Sequence, residues 1–329
     1  MTIDIHSHAI PRKFVDFVRE NPERFQTKII NENGKDMVVH DQGFKYPLYP
    51  GFYDTKIRIA DMDKRKIDRE FVSVSPQIYY YWLDAKTALE AAMLANDGIA
   101  EMCAEAPDRF YPMATVPLQD VDASCREIER VVAEHGFKAV QIGTSMEGKY
   151  FDKPEFLPFF KKCEELGVII LFHPYYVGAT KGLEDYYLTN FIGNPLDSTI
   201  CISRLLFGGV MKACPESKFV FVHGGGYIPY QRGRLKHGHS VREESKVVIG
   251  SDDIDPYIDM LYFDTITHWD TALEFLINSH TSKKVVVGSD YPFDMADAEP
   301  ARRVMGLENI SQDQKEDVLS GNILNVLLK

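Results

Sequence analysis

The chain has 329 residues, 45% of them hydrophobic, enough for one large α/β domain or two ordinary ones with a substantial core. Its formal net charge of −12 argues against nucleic acid as the main partner, because phosphate binding wants a basic face. No stretch approaches the ~20 apolar residues of a membrane span, and no charged-then-apolar leader opens the chain. The cysteines (Cys103, Cys125, Cys163, Cys201 and Cys214) are odd in number and lack C-x-x-C spacing. They read as buried free thiols of a reducing compartment, so a cytoplasmic protein without membrane partners is expected.

The first element, residues 3–8 (IDIHSH), reads as a short strand ending in two histidines one residue apart. Alternate side chains of a strand share a side, so His6 and His8 can reach one point in space. They are either half of a metal site or two surface histidines. An insertion follows over about residues 15–54, with a hairpin-type turn at Asn31 to Asp36 and then Lys45, Tyr46, Tyr49 and Phe52. Such a long excursion after a first strand often covers a site.

A helix is predicted over 55–66 and a strand over 70–75, then a helix over 85–106 and a strand over 110–116. A helix over 121–135 closes on Gly136, before a strand over 138–142. The next helix, 155–166, closes on Gly167 and leads to a strand over 168–173. A helix over 196–213 follows Asn194-Pro195, and a strand over 218–223 ends in His223. A polar helical region over 227–240 precedes a strand over 260–264. A helix over 271–279 and a strand over 285–290 come next. Two short C-terminal helices finish the chain, the last over 312–327.

Eight short apolar strands alternating with helices are the pattern of parallel crossovers, buried on both faces. The simplest closed solution is a (β/α)8 TIM barrel, one domain over residues 1–329 with the insertion after strand one and the C-terminal helices outside the repeat. An open doubly wound sheet would want a glycine-rich phosphate turn after strand one, and H-S-H-A-I-P is not one.

A barrel does its chemistry at the C-terminal ends of its strands. Those ends carry His6, His8, His173, His223, Asp264 and Asp290. Imidazoles with a carboxylate suit Zn2+ or another first-row divalent ion, with His6, His8, His173 and Asp290 as ligands. His223 is then placed as the proton carrier beside the ion, or alternatively as a fifth ligand or a group that hydrogen-bonds a ligand. A metal-bound water has its pKa pulled toward neutrality, and a neutral imidazole can take its proton. Asp264 either holds structure, orients a neighbour or reacts. Gly224 to Gly226 form a tight turn or a close approach of backbone to a ligand. Arg232, Arg234 and Arg242 are either solvated charges or forks for carboxylates.

The H-x-H of strand one, F-H-P after strand five, V-H-G-G-G after strand six and G-S-D-Y-P-F after strand eight together resemble the amidohydrolase superfamily. More closely they resemble its decarboxylase branch, typified by the aminocarboxymuconate-semialdehyde decarboxylases. V-P-L-Q-D (Val116 to Asp120) and Q-I-G (Gln141 to Gly143) extend the likeness over most of the chain. The resemblance implies Zn2+, or Mn2+, on His6, His8, His173 and Asp290, with Asp290 also taking part in catalysis. It implies His223 as the base that activates the metal-bound water, and no organic cofactor.

Arg234, in Q-R-G-R-L, matches a family arginine that reaches the neighbouring site across a homodimer. Arg242 matches a second arginine for a small anionic carboxylate substrate. Lys45 stands where the family has an arginine, and Tyr187 where it typically has Trp. Strand four ends without the lysine that bridges two metals in binuclear relatives, which implies one ion. The expected activity is non-oxidative decarboxylation of a small unsaturated or aromatic acid. The rivals are a hydrolase or hydratase acting on a small carboxylated lactone, amide or alkene, and a non-catalytic scaffold.

Overall fold

Eight parallel strands lie side by side in the computed structural model, which describes residues 1–175 and 181–329. The sequence in full runs β1 (Ile3–Ala9), β2 (Thr27–Glu32), β3 (Lys35–His40), β4 (Lys45–Pro47), β5 (Arg69–Val74), β6 (Phe110–Ala114), β7 (Ala139–Gly143), β8 (Ile169–His173), β9 (Lys218–Phe221), β10 (Tyr262–Asp264) and β11 (Val285–Val286). The large sheet has the order β1-β5-β6-β7-β8-β9-β10-β11, each neighbour parallel. Its two edges meet. Ile5 N donates to Val287 O at 2.9 Å, Asp290 N to His6 O at 2.8 Å, and His8 N to Tyr291 O at 2.7 Å. The expected (β/α)8 barrel is what forms, with helices between successive strands.

Strand alternation divides the core. Ile3, Ile5, Phe71, Met113, Ile169, Leu171, Val220, Val222 and Val286 pack inside the barrel, with Ile323 and Leu327 from the last helix. The intervening residues, such as Ile170, Phe172, Phe219 and Phe221, face the helices. His173 has the parity of Ile169 and Leu171, so simple alternation aims it inward.

Alternation does not explain His6 and His8. Strict period two would group them with Asp4, opposite Ile3 and Ile5. A register shift in the β1–β5 pairing lies between Asp4 and Ser7, where Ile5 and His6 together oppose Phe71. This bulge reverses the parity and turns both histidines into the barrel mouth. Ser7 then points outward, where its Oγ accepts from the buried Arg58 guanidinium at 2.7 Å.

The insertion differs in part from expectation. Its first residues form a helix, Arg12–Glu20, which buries Phe14, Val15 and Val18 along one face. The predicted hairpin turn is present between β2 and β3, which with β4 make a separate antiparallel sheet. The helix predicted over 196–213 is two helices, Asn194–Phe207 and Val210–Ala213, because Gly209 adopts a left-handed φ of 79°. The helices Thr55–Arg65 and Val121–His135 start where Asp54 and Asp120 accept from backbone N–H groups, a cap typically contributing about 1 kcal/mol. The five cysteines are free thiols, and no helix among the described residues is long and apolar enough to cross a membrane.

Candidate metal centre

Four side chains converge at the barrel mouth, three from strand ends and Asp290 from the loop after β11, which stops at Val286 rather than running to 290 as expected. One ligating atom each from His6, His8, His173 and Asp290 lies within 4.8 Å of the others, and all four residues are buried. His8 Nε2 is 2.9 Å from Asp290 Oδ1, His6 Nε2 is 3.3 Å from it, and His173 Nε2 is 4.0 Å away.

The outer ring nitrogens decide the tautomers. His8 Nδ1 faces Val74 O at 3.2 Å and His173 Nδ1 faces Pro174 O at 2.9 Å. Carbonyl oxygens only accept, so both protons sit on Nδ1. His6 Nδ1 donates to Asp264 Oδ2 at 2.8 Å. Burial raises the Asp264 pKa, but its bond to His6 and the charges of His6 and His223 outweigh this and hold it below the usual carboxylate range. All three Nε2 lone pairs therefore aim at one point.

That arrangement fits a cation. His6 Nε2 and His8 Nε2 are only 3.1 Å apart, a separation that either a proton shared between them or a bound cation relieves. His173 Nε2 is buried without a hydrogen-bond partner among the described residues, a cost that a metal ligand bond would remove.

Without an ion, the cluster concentrates its charge on one ring. Burial pushes His173 down to about 3 and also lowers His8. Burial opposes charge on His6 too, yet Asp290 and the hydrogen bonds to Asp264 and Asp290 raise it to about 10. At neutral pH the metal-free centre therefore favours a proton on His6, which an entering ion must displace. Metal uptake at neutral pH is expected to release about one proton per site, with apparent affinity rising roughly tenfold per pH unit below the His6 value. Calorimetry in two buffers of different ionisation enthalpy measures this. Uptake heats independent of buffer would show His6 already neutral.

His223 comes from just beyond β9. Strand parity would send it outward with Phe219 and Phe221. Instead β9 ends at Phe221, and His223 opens a turn with a left-handed φ of 54°. Its Nε2 is 3.7 Å from Asp290 Oδ2, and its buried Nδ1 has no partner among the described residues. Asp264 locks this turn, since its Oδ1 accepts from Gly224 N at 2.8 Å. Gly225 must be glycine: its φ is 73°, and a Cβ there would lie 2.4 Å from the Phe263 ring.

Asp264 thus holds both His6 and the His223 turn. The sequence placed it at a strand end but left its role open, because its partner His6 is 258 residues away in the chain, two strands along the closed barrel. Gly288 in the strand-eight motif shows the same closeness: a Cβ there would come 2.8 Å from Asp264 Oδ2.

Two cavity lobes open from the centre. One of about 220 Å3 borders His173, Tyr175, Tyr187, Gln77 and Phe293. The other, about 590 Å3, extends over the β9 and β10 loops. Tyr187 is therefore beside the centre. Lys45, Arg234 and Arg242 are not, for none lines either lobe. Lys45 pairs with Glu32 at 2.5 Å across the exposed small sheet, and Arg242 with its near neighbour Glu244 at 2.6 Å. Arg234 is exposed and joins no ion pair among the described residues. These charges stay in water, where their desolvation cost is least. The small sheet itself lines neither lobe, but the end of the insertion flanks the smaller one, where Phe52 packs on Phe293 with ring centroids 5.4 Å apart.

A family model described as Amidohydrolase matches residues 3–327. The 2-amino-3-carboxymuconate-6-semialdehyde decarboxylase of Dictyostelium discoideum is 30% identical over 328 residues, covering 99% of this chain and 91% of that protein. The gamma-resorcylate decarboxylase of Rhizobium radiobacter is 31% identical over 201 residues, 56% of this chain and 59% of that one. Among solved structures, a 5-carboxyvanillate decarboxylase from Novosphingobium aromaticivorans, complexed with manganese and 4-hydroxy-3-methoxy-5-nitrobenzoic acid, superposes with a TM-score of 0.81. It is 23% identical, over 99% of this chain and 96% of that one.

Proposed function

The chain belongs to the amidohydrolase family and is an enzyme of its carboxy-lyase branch, and from that premise we propose a metal-dependent, non-oxidative decarboxylase of a small aromatic or unsaturated carboxylic acid. The observation that carries the reading is the inward convergence of three Nε2 lone pairs and the Asp290 carboxylate beside a fourth histidine that faces the cavity. His6, His8, His173 and Asp290 would hold one Zn2+ or Mn2+; the manganese of the carboxyvanillate decarboxylase structure supports the second option. When bound, such an ion supplies Lewis-acid chemistry, offsetting the charge of substrate oxygens and making water more acidic.

The chain's own side chains do the rest. His223 takes a proton from water at the centre through its cavity-facing Nε2 and delivers one to the carbon that bears the carboxylate. Cleavage of the C–C bond releases CO2, and the electron pair left on carbon is captured as a C–H bond by that proton. Asp264 keeps His6 and the His223 turn in place. Tyr187 forms part of the wall against which the substrate lies.

Arg234 would act across a homodimer, reaching the neighbouring site, as its exposure without an ion pair supports. Lys45 and Arg242 would meet a substrate carboxylate by leaving exposed partners, a small cost for surface pairs. We place the enzyme in the cytoplasm as a single domain over residues 1–329, in keeping with its free thiols.

The test is metal content by elemental analysis on the same sample as a CO2-release assay with ortho-substituted aromatic and muconate-type acids. About one Zn2+ or Mn2+ per chain with CO2 evolved is expected. Metal with net addition of water, and no CO2, would turn the assignment to a hydrolase or hydratase, since an activated water serves all three.

A further inference from the structure

The smaller lobe, about 220 Å3, already borders His173 and Tyr187, yet the larger lobe at the same centre has about 590 Å3. Sites that bury most of a drug-sized ligand run roughly 300–1,000 Å3. The two lobes meet at His223 and Asp290, with Asn190, Asn194 and Met295 on both walls. A ligand whose carboxylate sits at the metal centre therefore reaches the larger lobe by passing His223.

Beyond that junction the walls are apolar, chiefly Phe191, Ile266, Trp269, Phe275 and Leu276. Three of these aromatics are half uncovered by the chain itself: Phe191 is 52% exposed, Trp269 65% and Phe275 48%. A ring laid against them would remove that apolar surface from water and stack on it. Apart from Asp290 at the junction, no Lys, Arg, Asp or Glu lines the larger lobe among the described residues, and residues 176–180 contain none. A carboxylate carried into it would lose its hydration with only the imidazole of His268 as an ionisable partner beyond the junction. The loop that presents Trp269 turns through His268, which holds a left-handed φ of 54° without being glycine, a strained backbone of the kind retained where it shapes a site.

We propose that the substrate carries a bulky, uncharged aromatic group on the skeleton of its reacting acid, and that this group fills the larger lobe against Trp269 and Phe275. This rests on the decarboxylase reading of the centre. It selects, among carboxylic acids, fused-ring or aryl-extended monoacids over single-ring acids and over diacids whose second carboxylate would point into the lobe.

The experiment compares salicylate, a hydroxynaphthoate and a hydroxyisophthalate on the full-length, metal-loaded protein, by calorimetric affinity and CO2 release. The hydroxynaphthoate is expected to bind at least about tenfold tighter than salicylate, and the diacid more weakly than salicylate. Ala272→Phe, which narrows the lobe from the helix Asp270–His280, is expected to erase the fused-ring advantage and leave salicylate affinity and metal content unchanged. Trp269→Ala, at an exposed position, should erase it as well by removing the stacking face.

Equal affinity for the two ring systems overturns the proposal, as does an equal loss of both ligands in Ala272→Phe. So does a shift from dimer to monomer in Ala272→Phe with ring preference retained, because a second chain would then be the occupant. CO2 from single-ring acids without fused-ring preference sinks this inference alone. A fused-ring preference with no CO2 from any acid upholds the lobe and sinks the decarboxylase reading.

Discussion

Replacing His223 with asparagine is expected to leave the metal bound and to lower the rate of CO2 release by about 100- to 10,000-fold, the range typical of a removed general acid–base group. The two halves of this expectation have separate causes. Metal is retained because the convergent set is His6, His8, His173 and Asp290. His223 approaches only the second Asp290 oxygen, at 3.7 Å.

Turnover is lost because the side chain lines both lobes and no other described histidine faces the smaller one except His173, whose Nε2 belongs to the cluster. Asparagine is the informative substitution. It tolerates the left-handed φ of 54° better than alanine, so the turn that Asp264 holds is preserved. Steady-state kinetics and elemental analysis on one preparation check both halves. Activity near that of the unaltered enzyme would remove His223 from the proton transfer, and concurrent metal loss would make it a ligand.

Substituting the proposed ligands gives the opposite pattern. His173→Ala and Asp290→Ala are each expected to lose the metal and, with it, all measurable CO2 release. Asp264→Asn should act in between. It touches no ion, but it weakens the carboxylate–imidazole bond that orients His6, and such outer partners are typically worth about 10- to 100-fold in metal affinity. Chelator competition separates the three.

Thermal unfolding adds a readout independent of turnover. Stripping the ion from the unaltered protein should lower its melting temperature, because a ligand that binds only the folded state stabilises it by mass action. The same treatment should not move His173→Ala. A ligand variant that kept a full equivalent of metal would dissolve the assigned set.

Much of the architecture was legible because burial on both faces writes itself into composition. Runs such as 169–172 and 218–222 can only be strands enclosed by helices, and their even spacing with helical segments led to the barrel. The helix Val121–His135 was placed to the residue with the glycine stop as its local signal, and the structure adds the Asp120 cap at its start. The site was legible as a set of strand ends. What could not be read was the work of partners distant in sequence. Asp264 is bound to a residue 258 positions away. Lys45 is paired with Glu32, a partner that only the small sheet brings beside it.

The sequence by itself determined the barrel, the family and which side chains stand at the strand ends, because each follows from local hydrophobic period and short motifs. Only the tertiary structure decided where those side chains point. Alternation alone turns His6 and His8 toward Arg58 and the helices, and His223 outward with Phe221. A bulge opposite Phe71 reverses the first pair, and a left-handed turn braced by Asp264 reverses the second. Neither leaves a local signature, since a bulge is a mismatch in register between two strands and the turn is held by a carboxylate from a third. Side-chain direction at a strand end is set by what the neighbouring strands leave room for, and that is known only when the barrel has closed.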